Sequence, residues 1–96
     1  MSFAYVVGQV LVKNHDLWDK YRSLVPETFK KYGGEVLFRG EKNQSLAGND
    51  LVENQLVVIK FPDIQSINSW YSSAEYQNLI SLRDQAAQVT LTSYVE

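Results

Sequence analysis

From Phe3 to Lys13 apolar side chains occupy both alternating sets of positions. Ala4, Val6, Gly8, Val10 and Val12 fall on one side, and Phe3, Tyr5, Val7, Gln9 and Leu11 on the other. This predicts a strand covered on two faces. Asn14 then offers a helix cap, with Asp16 and Asp19 near the predicted start and Lys30 and Lys31 near the end, where each sign suits the helix dipole. Leu17, Tyr21, Leu24, Val25, Thr28, Phe29 and Tyr32 make its apolar stripe. Pro26 lies inside that pattern and cannot donate to the Arg22 carbonyl, which predicts a kinked or split helix. Gly33 is the residue expected just past the helix, and Gly34 begins the return.

Glu35 to Gly40 predicts a second strand. The polar run Glu41 to Asn54 predicts an edge strand around Ser45 to Ala47 and a turn at Gly48-Asn49-Asp50, because a wholly irregular stretch of that length is uncommon in a small domain. Leu56 to Phe61 is apolar except for Lys60 and contains three consecutive β-branched residues, so a third strand with two covered faces follows. Pro62 ends it, and Asp63 is placed to cap a helix carrying Ile64, Ile67 and Tyr71 at helical spacing. Ser72-Ser73-Ala74-Glu75 has the form of a capping box for a further helical segment, with Ser72 and Glu75 as its reciprocal partners. Tyr76, Leu79, Ile80 and Arg83 line one side of that segment. Gln88 to Val95 alternates and reads as a last strand.

The order βαββαβ predicts an α+β, ferredoxin-like sandwich: an antiparallel sheet with two helices on one face. Two helices cover only one face. The first and third strands are apolar on both, so the other face would be an exposed patch of a kind rare in monomers. A homodimer formed through the sheet face is the expected remedy.

The chain of 96 residues predicts one domain over 1–96. No stretch approaches the roughly 20 apolar residues that span a bilayer, and the first residues lack the basic region of a secretion signal. A cytoplasmic location and no membrane partner are expected. With no cysteine, thiolate chemistry and disulfides are excluded. A net charge of −2 gives no general attraction to phosphate backbones, and the third strand lacks the basic, aromatic pattern of RNA-recognition sheets. Nucleic acid is therefore not an expected partner.

No dinucleotide fingerprint, phosphate loop, nucleophile elbow or zinc-protease motif occurs, and the acids are dispersed. One histidine without cysteine makes no tetrahedral metal set, so neither metal nor cofactor is expected. His15 is the sole imidazole and a candidate for proton transfer, although a strand-to-helix junction equally suits a solvated helix start. Arg39, among apolar residues of a strand, and Arg83, on the helical side of Tyr76, are candidates to grip a carboxylate; each could instead pair with Glu35, Glu75 or Asp84. Tyr5, Gln9 and Lys60 are polar tips in strands made for burial and need partners. Trp70, Tyr71 and Tyr76 could wall an aromatic pocket or fill a core.

The residues also resemble a known family. Ala4-Tyr5-Val6-Val7-Gly8, Tyr21, Pro26, Tyr32-Gly33-Gly34, Arg39-Gly40, Val57 to Pro62, Trp70-Tyr71-Ser72-Ser73, Glu75-Tyr76-Gln77 and Arg83 are similar to domain of unknown function 1330, in the dimeric α+β barrel superfamily. Ala74 departs from a frequent proline, and Glu41 from a frequent second glycine. The resemblance implies a homodimer whose sheets face one another to close a barrel. Superfamily members include cofactor-free oxygenases and isomerases, which by analogy suggests a small carboxylated or aromatic molecule held in a cleft. Arg39, Trp70, Tyr76, Arg83 and Gln9 are its candidate ligand contacts, and Tyr5, Tyr76 or His15 the candidates for proton transfer. The competing expectation is a non-enzymatic structural or interaction dimer whose cleft is filled by its own side chains.

Overall fold

The computed structural model describes residues 2–96. Its elements are β1 (Ala4–Val12), α1 (His15–Lys30), β2 (Glu35–Glu41), β3 (Gln55–Phe61), α2 (Ile64–Ser72), α3 (Ala74–Gln77), α4 (Ile80–Ala86) and β4 (Ala87–Val95). The strands form one sheet in the order β2-β3-β1-β4, with every neighbouring pair antiparallel. Ala4, Val6 and Val10 of β1 and Ile59 and Phe61 of β3 share a core with Trp18, Tyr21, Val25 and Phe29 of α1 and Ile67 and Trp70 of α2. All the helices therefore pack on one sheet face. The alternation of β1 survives intact, every second residue from Ala4 to Val10 being buried.

Local chemistry sets most boundaries as expected. The Asn14 side chain accepts from the Leu17 amide at 3.0 Å, and the Asp63 carboxylate from the Ser66 amide at 2.7 Å. At the far end of α1, Gly33 has φ of 79°, its amide bonds the Lys30 carbonyl, and the Gly34 amide bonds the Phe29 carbonyl, which closes a Schellman turn.

Four expectations are corrected. Of the two outcomes expected at Pro26, a kink or a split, the split does not occur: α1 is continuous from His15 to Lys30. Its buried stripe is rotated, so Trp18 is buried while Leu24 is 42% exposed. Ser73, whose ψ of 148° is extended, caps the segment after α2 by accepting from the Tyr76 amide; Ser72 is still helical and donates to the Asn68 carbonyl. Glu75 reaches Lys31 at 3.4 Å instead of a capping serine.

The fourth concerns the stretch between β2 and β3, which contains no edge strand at Ser45 to Ala47. Side chains close this loop instead. Lys42 Nζ donates to Asp50 at 2.7 Å and to the Leu51 carbonyl at 2.6 Å, and Ser45 Oγ donates to Asp50 at 2.8 Å. At its neck the Lys42 amide bonds the Asn54 carbonyl at 2.6 Å. Closed on itself by these side-chain bonds, the segment does not extend along β2, which remains the sheet edge.

The two left-handed glycines make a paired test. A Cβ at Gly33 would meet Pro62 Cγ at 2.7 Å, whereas one at Gly48, with φ of 83°, meets nothing within 4 Å. Gly48→Ala should cost about 1 kcal/mol, the left-handed penalty alone. Gly33→Ala should cost about 2–4 kcal/mol, because overpacking is added. Chemical denaturation checks the order, and equal losses would contradict it.

Candidate functional site

A bulge decides where Arg39 points. Val36 pairs with Ile59, but the next pair is Phe38 with Val58, so Leu37 is an extra residue in β2. Strand faces alternate, and one inserted residue reverses everything beyond it. Phe38 consequently lies on the outer face, its ring against Gly40, while Arg39 lies opposite Val57 on the face that carries the helices.

There it meets α1. Arg39, Arg22, Trp18, Val10 and Val57, with Glu41 and Gln55 toward the edge, line an open cleft of about 270 Å³. Behind it, Trp18, Tyr21, Val25, Arg39, Trp70 and Leu91 are among the walls of a more enclosed chamber of about 40 Å³. Burial first, and then the nearby Arg22 charge, lower the Arg39 pKa from its ordinary value. The guanidinium nevertheless stays charged at physiological pH. Neither Arg22 nor Arg39 forms an ion pair among the described residues.

A buried polar chain backs the chamber. Arg83 Nη1 donates to Tyr76 Oη at 3.0 Å, and the Tyr76 and Tyr21 hydroxyls are 2.9 Å apart. Burial, followed by the adjoining Tyr76 hydroxyl, pushes the Tyr21 phenol above its usual range, so it is a neutral O–H at physiological pH. Burial opposes the Arg83 charge, but the hydrogen bonds with Tyr76 and Asp84 outweigh it and raise its pKa. Trp70 is held from the other side, its Nε1 donating to Thr28 Oγ1 at 2.9 Å while that hydroxyl donates to the Val25 carbonyl at 2.6 Å. The Trp70 ring lies 4.4 Å from that of Tyr76 and 5.5 Å from that of Phe61.

The sequence candidates are thus divided among several places. Arg39 and Trp70 meet at the chamber, and Tyr76 stands behind it, fully buried. Arg83 pairs with Asp84 at 3.0 Å and also lines a second cleft of about 440 Å³ between α2 and β4, with Trp70, Asn68 and Ser72. Gln9 lies on the outer face beside Phe38 and the Lys42 to Asn54 loop. Tyr5 is also outside and donates to Glu96, a hydrogen bond that raises its pKa. Lys60 Nζ sits 3.7 Å over the Phe3 ring. His15 is exposed at the start of α1 and far along the helix from Arg22. Sequence reasoning missed Trp18, Tyr21 and Arg22 as site residues. The spacing of Trp18 and Arg22, one helical turn apart, was the available signal.

This sheet order and single helical layer define a ferredoxin-like α+β protein. The family model described as "Domain of unknown function (DUF1330)" matches residues 3–95, and the chain belongs to that family. No curated protein matches it in sequence. Among solved structures, a protein of unknown function from Rhodopseudomonas palustris is similar with a TM-score of 0.80 at 16% identity, over 97% of this chain and 81% of that one. A dimeric ferredoxin-like protein of unknown function from Jannaschia sp. CCS1 gives 0.73 at 9% identity, over 96% and 97%. SnoaB, a cofactor-independent oxygenase from Streptomyces nogalater, gives 0.68 at 10% identity, over 98% and 92%. At these identities the likenesses establish the fold.

The Trp70 wall depends on its single acceptor. Thr28→Val should leave the buried indole N–H unpaired and cost about 1–3 kcal/mol, while Thr28→Ser should retain most of the stability. Urea denaturation of the pair checks this. Equal stability of the valine and serine variants would contradict the assigned role.

Proposed function

We propose that this protein binds a small carboxylated organic molecule in the cleft between α1 and the β2–β3 edge, with Arg39 gripping the carboxylate. One observation carries this reading: Arg39 and Arg22 line the same partly apolar cleft, and among the described residues neither forms an ion pair, with Glu41 at the cleft's edge. Unpaired guanidiniums beside an indole suit a planar anion with an apolar body. The open cleft also counts against the competing picture of a site filled by the protein's own side chains.

The binding unit in this reading is a homodimer. Phe3, Phe38 and Tyr94 on the outer sheet face are 44%, 54% and 54% exposed, and Val7, Leu11, Leu56 and Val58 lie on the same face. A second copy laid on that face shelters them. Neighbours of the same fold from Jannaschia and from Thermobifida fusca are described as dimeric, which supports this arrangement. The likeness to a cofactor-independent oxygenase supports a second reading, in which the bound molecule is oxygenated or isomerised without a cofactor. The Tyr21–Tyr76–Arg83 chain is then its source of polar assistance.

Titration of the purified protein with small aromatic carboxylates, phenylacetate among them, tests the binding reading by calorimetry. Arg39→Ala should weaken binding about 10- to 100-fold, the effect of a lost charge-assisted hydrogen bond. Affinity unchanged in the variant, or no binding by any carboxylate, would refute it.

A further inference from the structure

The hydroxyl protons behind the chamber do not all have acceptors. A guanidinium only donates, so Tyr76 Oη accepts from Arg83 at 3.0 Å. Tyr76 and Tyr21 carry one proton each, and their 2.9 Å bond uses one of the two. No acceptor for the other is found among the described residues. If Tyr21 donated, the spare proton would sit on Tyr76, which is fully buried and lines none of the cavities described above. If Tyr76 donates, the spare proton belongs to Tyr21, whose side chain walls the chamber. The second arrangement strands no donor in the packed interior and is the better one. The chain therefore runs from Arg83 through Tyr76 to Tyr21 and ends in an unclaimed O–H.

A second donor stands beside it. Trp18 is stacked on Tyr21, with ring centroids 5.1 Å apart and planes at 22°. Its indole Nε1 is buried and has no hydrogen-bond partner among the described residues. Trp18 lines both the outer cleft and the chamber, as do Arg22 and Arg39. Among the described residues, Glu41 is the one carboxylate lining these two spaces, and it lies in the outer cleft. Four side chains that offer donors without protein acceptors thus surround connected space. A buried donor without an acceptor is uncommon in a native protein and calls for a partner from outside the chain.

The geometry points to an oxo acid as the ligand: its carboxylate meets Arg22 and Arg39 in the outer cleft, and its carbonyl oxygen accepts from the Tyr21 hydroxyl and Trp18 Nε1 in the chamber. This rests on the carboxylate-binding reading above and adds the second oxygen. The chamber of about 40 Å³ exceeds the roughly 10–15 Å³ that one water requires, so it admits a carbonyl oxygen but not a large group. Arg83 contributes as a positioning residue, since its bond to Tyr76 sets which way the hydroxyl chain points.

Phenylglyoxylate and phenylacetate differ by a carbonyl against a methylene and separate the two ideas. Wild-type protein should bind phenylglyoxylate at least about tenfold more tightly, the effect of one well-placed hydrogen bond. Tyr21→Phe removes one of the two donors and should narrow that preference severalfold, and Arg39→Ala should weaken both ligands alike. In the proton–nitrogen correlation spectrum, the Trp18 indole resonance, identified by its loss in Trp18→Phe, should move downfield with phenylglyoxylate and not with phenylacetate. Equal affinities in the wild type, an undiminished preference in folded Tyr21→Phe, or an unmoved Trp18 resonance would overturn the oxo-acid inference while the Arg39 result upholds carboxylate binding. An Arg39→Ala variant that binds both ligands normally would overturn the carboxylate reading instead. Should Tyr21→Phe fail to fold, the Trp18 resonance in wild-type protein decides by the same two outcomes.

Discussion

A sheet that is apolar on both faces, with helices on only one, is the constraint from which the remaining structure follows. The molecule is a slab of 33 × 30 × 17 Å, thin because its second face carries no helical layer. Its accessible surface of 6080 Å² exceeds the about 5600 Å² expected of a monomer of its mass. Part of that excess is the open face with Phe3, Phe38 and Tyr94. Burial of such side chains is the main source of stability in both folding and association, which is why the proposed dimer belongs to the same energetic problem as the core.

The bulge at Leu37 joins the two sides of that problem. One extra residue in an edge strand turns Phe38 outward, toward the proposed partner, and Arg39 inward, toward α1. Without it the sheet would present Arg39 on the open apolar face and Phe38 in the cleft. Bulges at sheet edges commonly aim a side chain in this way. The proposed anion site and the apolar outer face thus share one local irregularity. A guanidinium placed near Trp18 and Tyr21 also changes what the cavity is good for, from a packing defect to a lined site with unspent donors.

Much of the architecture was legible because its signals are local. The Asn14 and Asp63 caps, the Pro62 stop, the Gly33 turn and the alternation of β1 each depend on a few neighbouring residues, and each lies where the residues placed it. What escaped depends on contacts between distant segments. The bulge exists only through the register of β2 against β3, so the face taken by Arg39 could not be read from Val36 to Gly40 alone. Trp18 replaced Leu24 in the buried stripe because the sheet below α1 selects which side of the helix turns inward. The loop after Glu41 looked long enough to need a strand; the Lys42, Ser45 and Asp50 hydrogen bonds that close it are side-chain interactions without a periodic signature. Of the site, Arg39 was read as a ligand contact, but its companions Arg22, Trp18 and Tyr21 emerge only when unpaired donors are counted in three dimensions.

The uncovered apolar face is tested most directly by sedimentation equilibrium of the purified protein at micromolar concentration. A partner copy on that face predicts a single species of twice the 11.0 kDa chain mass. A well-folded species of 11.0 kDa, stable with its outer sheet open to water, would contradict it.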